Sequence, residues 1–403
     1  YRPLAMSSHL GKLWERVVNC HLMDHLENNK HLSNRQFGFR RNRGTTENLL
    51  KLHEHITDKL EAERCTLEIW SFDLQKAFDK LDHAKVLNLL HKSGVNGYLG
   101  LSIQNWLINR KQYVEVGNCK SDETCVGRSC VQGSVLGPTL WLLYIQSLTT
   151  KLDSLGIQYF AYADDISIVQ KLKTDQDKID FEISLETLQK WSENYDMQWS
   201  PLKTQRLVLK YQNCPEPTHP FQMFFGGKEI IPMETSCTSL GAIIGRSCSF
   251  KEQRKKVCST IKSLTGLMLQ SLEGLTPDLV HRYYQVYIMP NLIYCCQVWQ
   301  SGDETQLQPI VDAVSKFWKL SPAGKPPKDF IEPRILFILF DLNYVKKMKD
   351  GRSPLDFDEI FKISTTGNTR ENLEEKLAAP TFKLEISRYK FSNRVRPYWN
   401  SLP

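Results

Sequence analysis

The run Tyr159-Phe160-Ala161-Tyr162-Ala163-Asp164-Asp165-Ile166-Ser167-Ile168-Val169 constrains the fold more than any other stretch of this chain. Aromatic and β-branched residues flank a tight polar break, which reads as two β-strands joined by a short turn. Two adjacent acids at such a tip are, on their own, ordinary turn chemistry, because Asp tolerates left-handed backbone and bonds its neighbours' amides. A third acid, Asp73, ends a second strand-like run, Trp70-Ser71-Phe72-Asp73-Leu74. Three carboxylates on neighbouring strands repel one another and call for a multivalent cation. They suit two Mg²⁺ ions about 3.5–4 Å apart, the spacing used for in-line displacement at phosphorus.

The surrounding pattern alternates helix and strand. Leu13, Val17, Leu22 and Leu26 predict a helix over 4–30, and another is expected from Thr45 or Thr46 to about Arg64. Between them, residues 33–44 form a basic loop punctuated by glycine. Strand 67–74 places Ile69, Ser71 and Asp73 on one face and Trp70, Phe72 and Leu74 on the other. Helices over 83–92 and about 97–109 lead to a hairpin from Gln112 toward Val131. Pro138 suits the first turn of a helix to about Leu152, where its missing N–H costs nothing. The 159–169 hairpin, a helix over 176–194 and a strand over 205–211 follow. Beyond Leu240-Gly241 the chain turns mostly helical: Val257, Ile261, Leu264, Met268 and Leu272 mark an amphipathic helix, and Thr276-Pro277 opens another. The polar tail from about 346 predicts partial disorder.

At 403 residues the chain fits two to three subdomains. Its formal charge of +7 is uneven. Arg246, Lys251, Arg254, Lys255, Lys256 and Lys262 crowd one short stretch against the single acid Glu252, which points to a polyanionic partner. The eleven cysteines form no CxxC pair and no zinc-like Cys/His spacing, so they read as reduced thiols of an intracellular protein, in nucleus and cytoplasm. No apolar run reaches the roughly 18 residues that span a membrane, and no signal peptide opens the chain. The start at Tyr1-Arg2-Pro3 rather than Met suggests a piece of a longer polyprotein. Two enzyme classes drop out: Ser134 sits wrongly for a G-x-S-x-G elbow, and His53-Glu54-His55 lacks the second His of a zincin.

Six blocks stand in one order: Tyr1-Arg2-Pro3-Leu4, Gln36-Phe37-Gly38-Phe39-Arg40, Phe72 to Asp79, Gln132 to Pro138, Tyr162-Ala163-Asp164-Asp165 and Leu202-Lys203-Thr204. In them the chain resembles the reverse transcriptases of non-LTR (LINE-type) retrotransposons, closest to the jockey-like and chicken-repeat-like groups. The resemblance covers about 1–245, and Tyr287 to Trp299 and Phe391 to Pro403 extend it. It implies an α+β right-hand polymerase fold. The fingers would take residues 1–66 and 83–130, and the palm, with its antiparallel sheet, 67–82 and 131–240. A helical thumb would take 241–345, leaving 346–403 as the tail.

The resemblance also implies roles. Asp73 and Asp164 bridge two Mg²⁺ ions, replaceable by Mn²⁺, and Asp165 completes the acidic set. Phe78 bars a ribose 2′-hydroxyl, or else is a core phenylalanine; Gln132 and Gly133 support the incoming base pair. Arg2 contacts the triphosphate, where a guanidinium forks onto phosphate oxygens. Lys203 is the candidate proton donor to pyrophosphate, with a plain surface lysine as the other reading. Arg40 and Arg43 touch template phosphates or form a solvated basic loop, and Leu240-Gly241 grips the primer end. Arg254, Lys255 and Lys256 track the duplex backbone. Ser200 departs from the family's usual asparagine, which puts the local geometry there in question. The expected partners are an RNA template, a DNA primer and dNTPs, in RNA-directed DNA synthesis serving target-primed insertion. The alternative is a truncated or domesticated fragment that binds nucleic acid without polymerising. An RNA-copying RNA polymerase shares the paired acids, but Phe78 and the Tyr-Ala-Asp-Asp block disfavour it.

Overall fold

The computed structural model describes residues 8–108, 110–171, 173–209, 224–225, 228–229, 235–271, 274–361, 376–378, 382 and 384–402. Arg2 and Leu272 lie outside the described residues, as do the end of the expected 205–211 strand and part of the tail. The elements begin with α1 (His9–Asn28), α2 (Thr45–Glu63), β1 (Leu67–Phe72), α3 (His83–Lys92) and α4 (Gly97–Leu107). A long hairpin follows, made of β2 (Arg110–Gln112), β3 (Glu115–Val116), β4 (Cys119–Lys120) and β5 (Thr124–Val126). Then come α5 (Gly137–Ser154), β6 (Tyr159–Tyr162), β7 (Asp165–Lys171), α6 (Asp175–Asn194) and β8 (Gln205–Leu209). Two small hairpins, β9 (Phe224–Phe225) with β10 (Lys228–Glu229) and β11 (Ser236–Ser239) with β12 (Ala242–Gly245), precede a helical remainder.

The chain divides into two compact units. The first comprises Tyr1–Arg41, Ile69–Arg206 and His219–Ile231; the second comprises Asn42–Glu68, Leu207–Thr218 and Pro232–Pro403. Two of the boundaries fall within β1 and β8. Helix α2 groups with the C-terminal residues rather than with residues 1–41.

The first unit is built on a four-stranded sheet ordered β6-β7-β1-β8. Alternation along β1 sets its faces as the pattern demands. Trp70, Phe72 and Leu74 enter the apolar core with Phe181, Leu188 and Trp199, while the Ser71 hydroxyl meets that of Ser167 on β7 at 3.0 Å. Helix α5 starts at Gly137 with Pro138 in its first turn. The Gly137 N–H donates to the Ser134 hydroxyl at 3.1 Å, and the turn before it is held from afar: buried Glu15 of α1 accepts from the backbone N–H of Val135 at 2.6 Å and Leu136 at 3.2 Å. The long hairpin pairs Gln112 with Thr124, and its returning strand ends at Val126, short of Val131.

In the second unit α7 (Lys251–Ser271) carries Val257, Ile261 and Met268 on its buried face. It is followed by α8 (Pro277–Tyr283), a π-helical turn over Tyr284–Ile288, α9 (Met289–Ile293) and α10 (Cys296–Trp299). The longer α11 (Glu304–Leu320) and α12 (Pro333–Lys349) and the single-turn α13 (Phe357–Ile360) lead into the tail. Part of the polar tail is described and is helical. It forms α14 (Glu385–Tyr389), α15 (Phe391–Arg394) and α16 (Arg396–Asn400), with Phe391 and Val395 fully buried. Acids spaced seven apart on α2 hold this unit together. Glu47 pairs with Lys347, Glu54 accepts from the Ser392 N–H and hydroxyl, and Glu61 accepts from the Leu384 N–H and the Ser387 hydroxyl. Arg394 meets the buried Asp341 carboxylate at 2.9 and 3.1 Å. No helix among the described residues is long and apolar enough to cross a membrane.

Candidate active site

Asp164 and Asp165 sit at the β6–β7 hairpin, where Tyr162 pairs with Asp165 and only Ala163 and Asp164 make the turn. Ala163 takes left-handed backbone, φ +57°. That conformation costs a non-glycine residue about 1 kcal/mol or more. The cost is offset by the Gln36 side chain, which holds both backbone polar groups of Ala163. Its Oε1 accepts from the Ala163 N–H at 2.9 Å, and its Nε2 donates to the Ala163 carbonyl at 3.1 Å.

Asp73 follows the end of β1, beside β7 in the sheet. Its carbonyl accepts from the Ser200 N–H at 2.8 Å, so the Ser200 side chain is not what makes this contact. The departure from asparagine therefore leaves the contact intact. Lys203, in the turn that follows, donates to the Asp73 carboxylate at 3.1 and 3.4 Å. Asp165 is pushed up to about 7, first by desolvation and then by the charges of Asp164 and Asp73, against the pull of Lys203. Asp165 stays substantially solvent-exposed, so the desolvation comes from crowding at the sheet end rather than enclosure. The three acids thus share one electrostatic neighbourhood.

Their oxygens are the hard donors that Mg²⁺ takes, and their mutual repulsion is the charge a divalent cation relieves. By chemistry the set fits the metal. Among the described residues no three acidic, His or Cys side chains converge at ligand distance. The acids are neighbours held partly in balance by the Lys203 ammonium, not a closed cage.

Phe78 is half-buried, its ring 5.6 Å from Trp141 and edge-on to Phe39 at 6.0 Å, centre to centre. It is therefore anchored by the core without being sealed inside it. Gln132 donates to Asp79 at 2.9 Å, which fixes its amide beside exposed Gly133 in a turn where Gly133 takes φ +93°. Asp79 thus orients Gln132, while Asp82 caps the helix that follows, accepting from the Lys85 N–H at 3.1 Å.

Two expected phosphate contacts are corrected. Arg40 is buried; it forks onto Glu27 at 2.8 and 2.5 Å and donates to the Ser33 carbonyl at 2.5 Å, so it braces the loop. Arg254 donates to the Trp299 carbonyl at 3.0 Å and to Gln306 at 2.5 Å, so it is a packing group of the second unit. Lys255 and Lys256 remain exposed, Lys255 within reach of Glu252 at 2.8 Å. Leu240 and Gly241 form the β11–β12 turn with φ of +46° and +80°, and the Tyr294 hydroxyl donates to the Leu240 carbonyl at 2.7 Å. Arg43 is half-buried in the second unit. Sequence reasoning missed Gln36, Gly38, Glu15 and Tyr294; the signal for the first two was a polar side chain and a glycine inside one of the ordered blocks.

A sheet whose antiparallel β6–β7 hairpin presents paired acids at its tip, with a third beside them, belongs to the polymerase fold, mixed in helix and strand. The family described as reverse transcriptase (RNA-dependent DNA polymerase) matches residues 1–244, and the chain belongs to it. The RNA-directed DNA polymerase from mobile element jockey of Drosophila melanogaster is 31% identical over 325 residues, 77% of this chain and 34% of the relative. A probable RNA-directed DNA polymerase from transposon BS of the same organism is 25% identical over 309 residues, 74% of this chain and 33% of the relative. The chain spans about a third of the length of these curated relatives. Among solved structures, telomerase from Candida tropicalis with a TWJ fragment of telomeric RNA aligns with a TM-score of 0.42 at 12% identity. That alignment covers 78% of this chain and 55% of that one.

Proposed function

We propose that this chain is the polymerising part of an RNA-directed DNA polymerase, which extends a DNA primer with dNTPs on an RNA template. The observation that carries this is the shared neighbourhood of Asp73, Asp164 and Asp165 at one end of the sheet, with Lys203 on Asp73. Asp73, Asp164 and Asp165 would hold the two Mg²⁺ ions, or Mn²⁺ in their place, which lower the pKa of the primer 3′-hydroxyl and neutralise the departing pyrophosphate. Lys203, which donates to the Asp73 carboxylate, would give a proton to the leaving pyrophosphate oxygen. Gln132, held by Asp79, and Gly133 support the incoming base pair, and Phe78 lies under its sugar. Arg2 and Arg43 contribute phosphate contacts, and the Leu240-Gly241 turn meets the primer end. In this reading the synthesis serves target-primed insertion of an element's RNA.

Primer extension by the purified chain on a labelled RNA–DNA template–primer with Mg²⁺ tests the reading. Extension with dNTPs is expected. Binding without extension would establish the non-catalytic alternative, and extension with NTPs alone an RNA polymerase.

The exposed amines of α7 supply a second prediction. Lys255→Ala with Lys256→Ala should weaken template–primer binding alike on all sequences and flatten its log–log salt dependence by up to about 2 units. Filter binding between low and moderate salt reads the slope; an unchanged slope makes these lysines a solvated face. Arg254→Ala should instead lower thermal stability, since its guanidinium serves the Trp299 carbonyl and Gln306.

A further inference from the structure

We propose that Gln36 and Gly38 position the Asp164-Asp165 turn for divalent-metal binding, so that the segment preceding Arg40 acts on the metals and not on the template. The inference rests on the polymerase reading of the three acids and adds to it the residues that set where two of them stand.

The contact is built as a piece of sheet. The Phe37 N–H donates to the Ala161 carbonyl at 2.9 Å, and the Ala161 N–H donates to the Arg35 carbonyl at 3.0 Å, so Gln36 runs parallel beside β6. From there its side chain continues the pairing where β6 has ended. Oε1 accepts from the N–H groups of Gly38 at 2.8 Å and Ala163 at 2.9 Å, while Nε2 donates to the Ala163 carbonyl at 3.1 Å. One amide thereby satisfies both backbone groups of the residue in left-handed backbone, directly before Asp164. Gln36 is 2% exposed, so water offers these groups no ready substitute.

Gly38 closes the clamp from the other side. A Cβ on it would lie 2.2 Å from the Ala163 nitrogen and 2.8 Å from its Cα. No side chain fits without displacing the turn. Both residues meet the backbone of Ala163, the one through hydrogen bonds and the other through close approach, and so are positioning residues. The segment is itself anchored, because Arg40 forks onto Glu27 and donates to the Ser33 and Gln36 carbonyls. A displaced Ala163 would carry Asp164 and Asp165 away from Asp73, and metal affinity depends on all three at once.

The test compares wild type, Gln36→Leu and Gly38→Ala, with Asp164→Ala as blank. Mn²⁺ binding without nucleic acid is read from the electron paramagnetic resonance of free Mn²⁺, and the Mg²⁺ needed for half-maximal primer extension is measured beside it. Both variants should bind Mn²⁺ about tenfold more weakly and need about tenfold more Mg²⁺, while template–primer affinity holds within about twofold. Saturating Mg²⁺ should restore most of the extension rate, a rescue that loss of fold would not allow. Unchanged Mn²⁺ affinity with an unchanged Mg²⁺ requirement overturns the proposal. So does melting of both variants below the assay temperature, which would make the contact one of stability alone; if only one melts, the other decides. Wild type that binds Mn²⁺ yet extends no primer sinks the polymerase reading, while the Mn²⁺ comparison still judges the clamp.

Discussion

Asp164→Asn should abolish primer extension, lowering kcat by about a thousandfold or more, and should leave the protein at least as resistant to heat as before. A loss of that size corresponds to about 4 kcal/mol of barrier, within what metal-borne charge stabilisation supplies at phosphorus. The stability half of the expectation separates a working site from a structural one. Asp164 is one of the charges that push Asp165 up, so removing it relieves repulsion at the sheet end. Asn keeps the size of the side chain and the turn. Template–primer binding should change little, because phosphate contacts by Lys and Arg supply most of the affinity. An exposed acid of α6, changed as Asp180→Asn, serves as control and should affect neither quantity. The measurements are single-turnover extension, filter binding and thermal melting on the same preparations. Near-wild-type synthesis by Asp164→Asn would remove Asp164 from the metal set, whatever became of the melting temperature.

What could be read in the sequence followed from local signals. The hairpin was legible because period-2 strands flank a two-residue break, and the faces of β1 because Trp70, Phe72 and Leu74 alternate with smaller or polar residues. The start of α5 was legible from Pro138. What escaped was set by partners distant in the chain. Arg40 looked like a free cation of a basic loop because nothing local says that Glu27 of α1 awaits it. Arg254 stood in a basic run, yet its helix turns it toward Trp299 and Gln306, whereas Lys255 and Lys256 face water. The tail seemed aperiodic because its helices are four or five residues long, too short to show a 3.6-residue repeat. A clue lay in α2, where Glu47, Glu54 and Glu61 recur every seven residues along one face of the helix. Acids in register that are buried, as Glu47 and Glu54 are, or half-buried, as Glu61 is, ask for donors, and Lys347, Ser387, Lys390 and Ser392 supply them.

Phe78→Val should relax sugar selection while synthesis from dNTPs continues. The ring is half-buried, 5.6 Å from Trp141 and edge-on to Phe39 at 6.0 Å, centre to centre. A residue pinned in this way can act as a rigid wall, because its rotamer is set by the core and not by what it meets. In the polymerase reading that wall lies beneath the sugar of the incoming nucleotide, where a 2′-hydroxyl would collide with it. Valine opens the volume without touching the acids, so the barrier for dNTPs should move little. Discrimination of this kind is differential binding at the transition state, and relief of about 1–3 kcal/mol raises relative ribonucleotide use roughly 10–200-fold. The same truncation leaves a cavity against Trp141, and a destabilisation of about 1–3 kcal/mol should accompany it. The two effects part company in Phe39→Ala, which removes the exposed edge partner but leaves Phe78 on Trp141; it should loosen the wall and give an intermediate ratio. The readout is kcat/KM for dNTP over rNTP in wild type and both variants, taken well below the lowest melting temperature. A ratio that stays constant while Phe78→Val is destabilised and still active would make Phe78 a core residue and place the discrimination of sugars on another side chain.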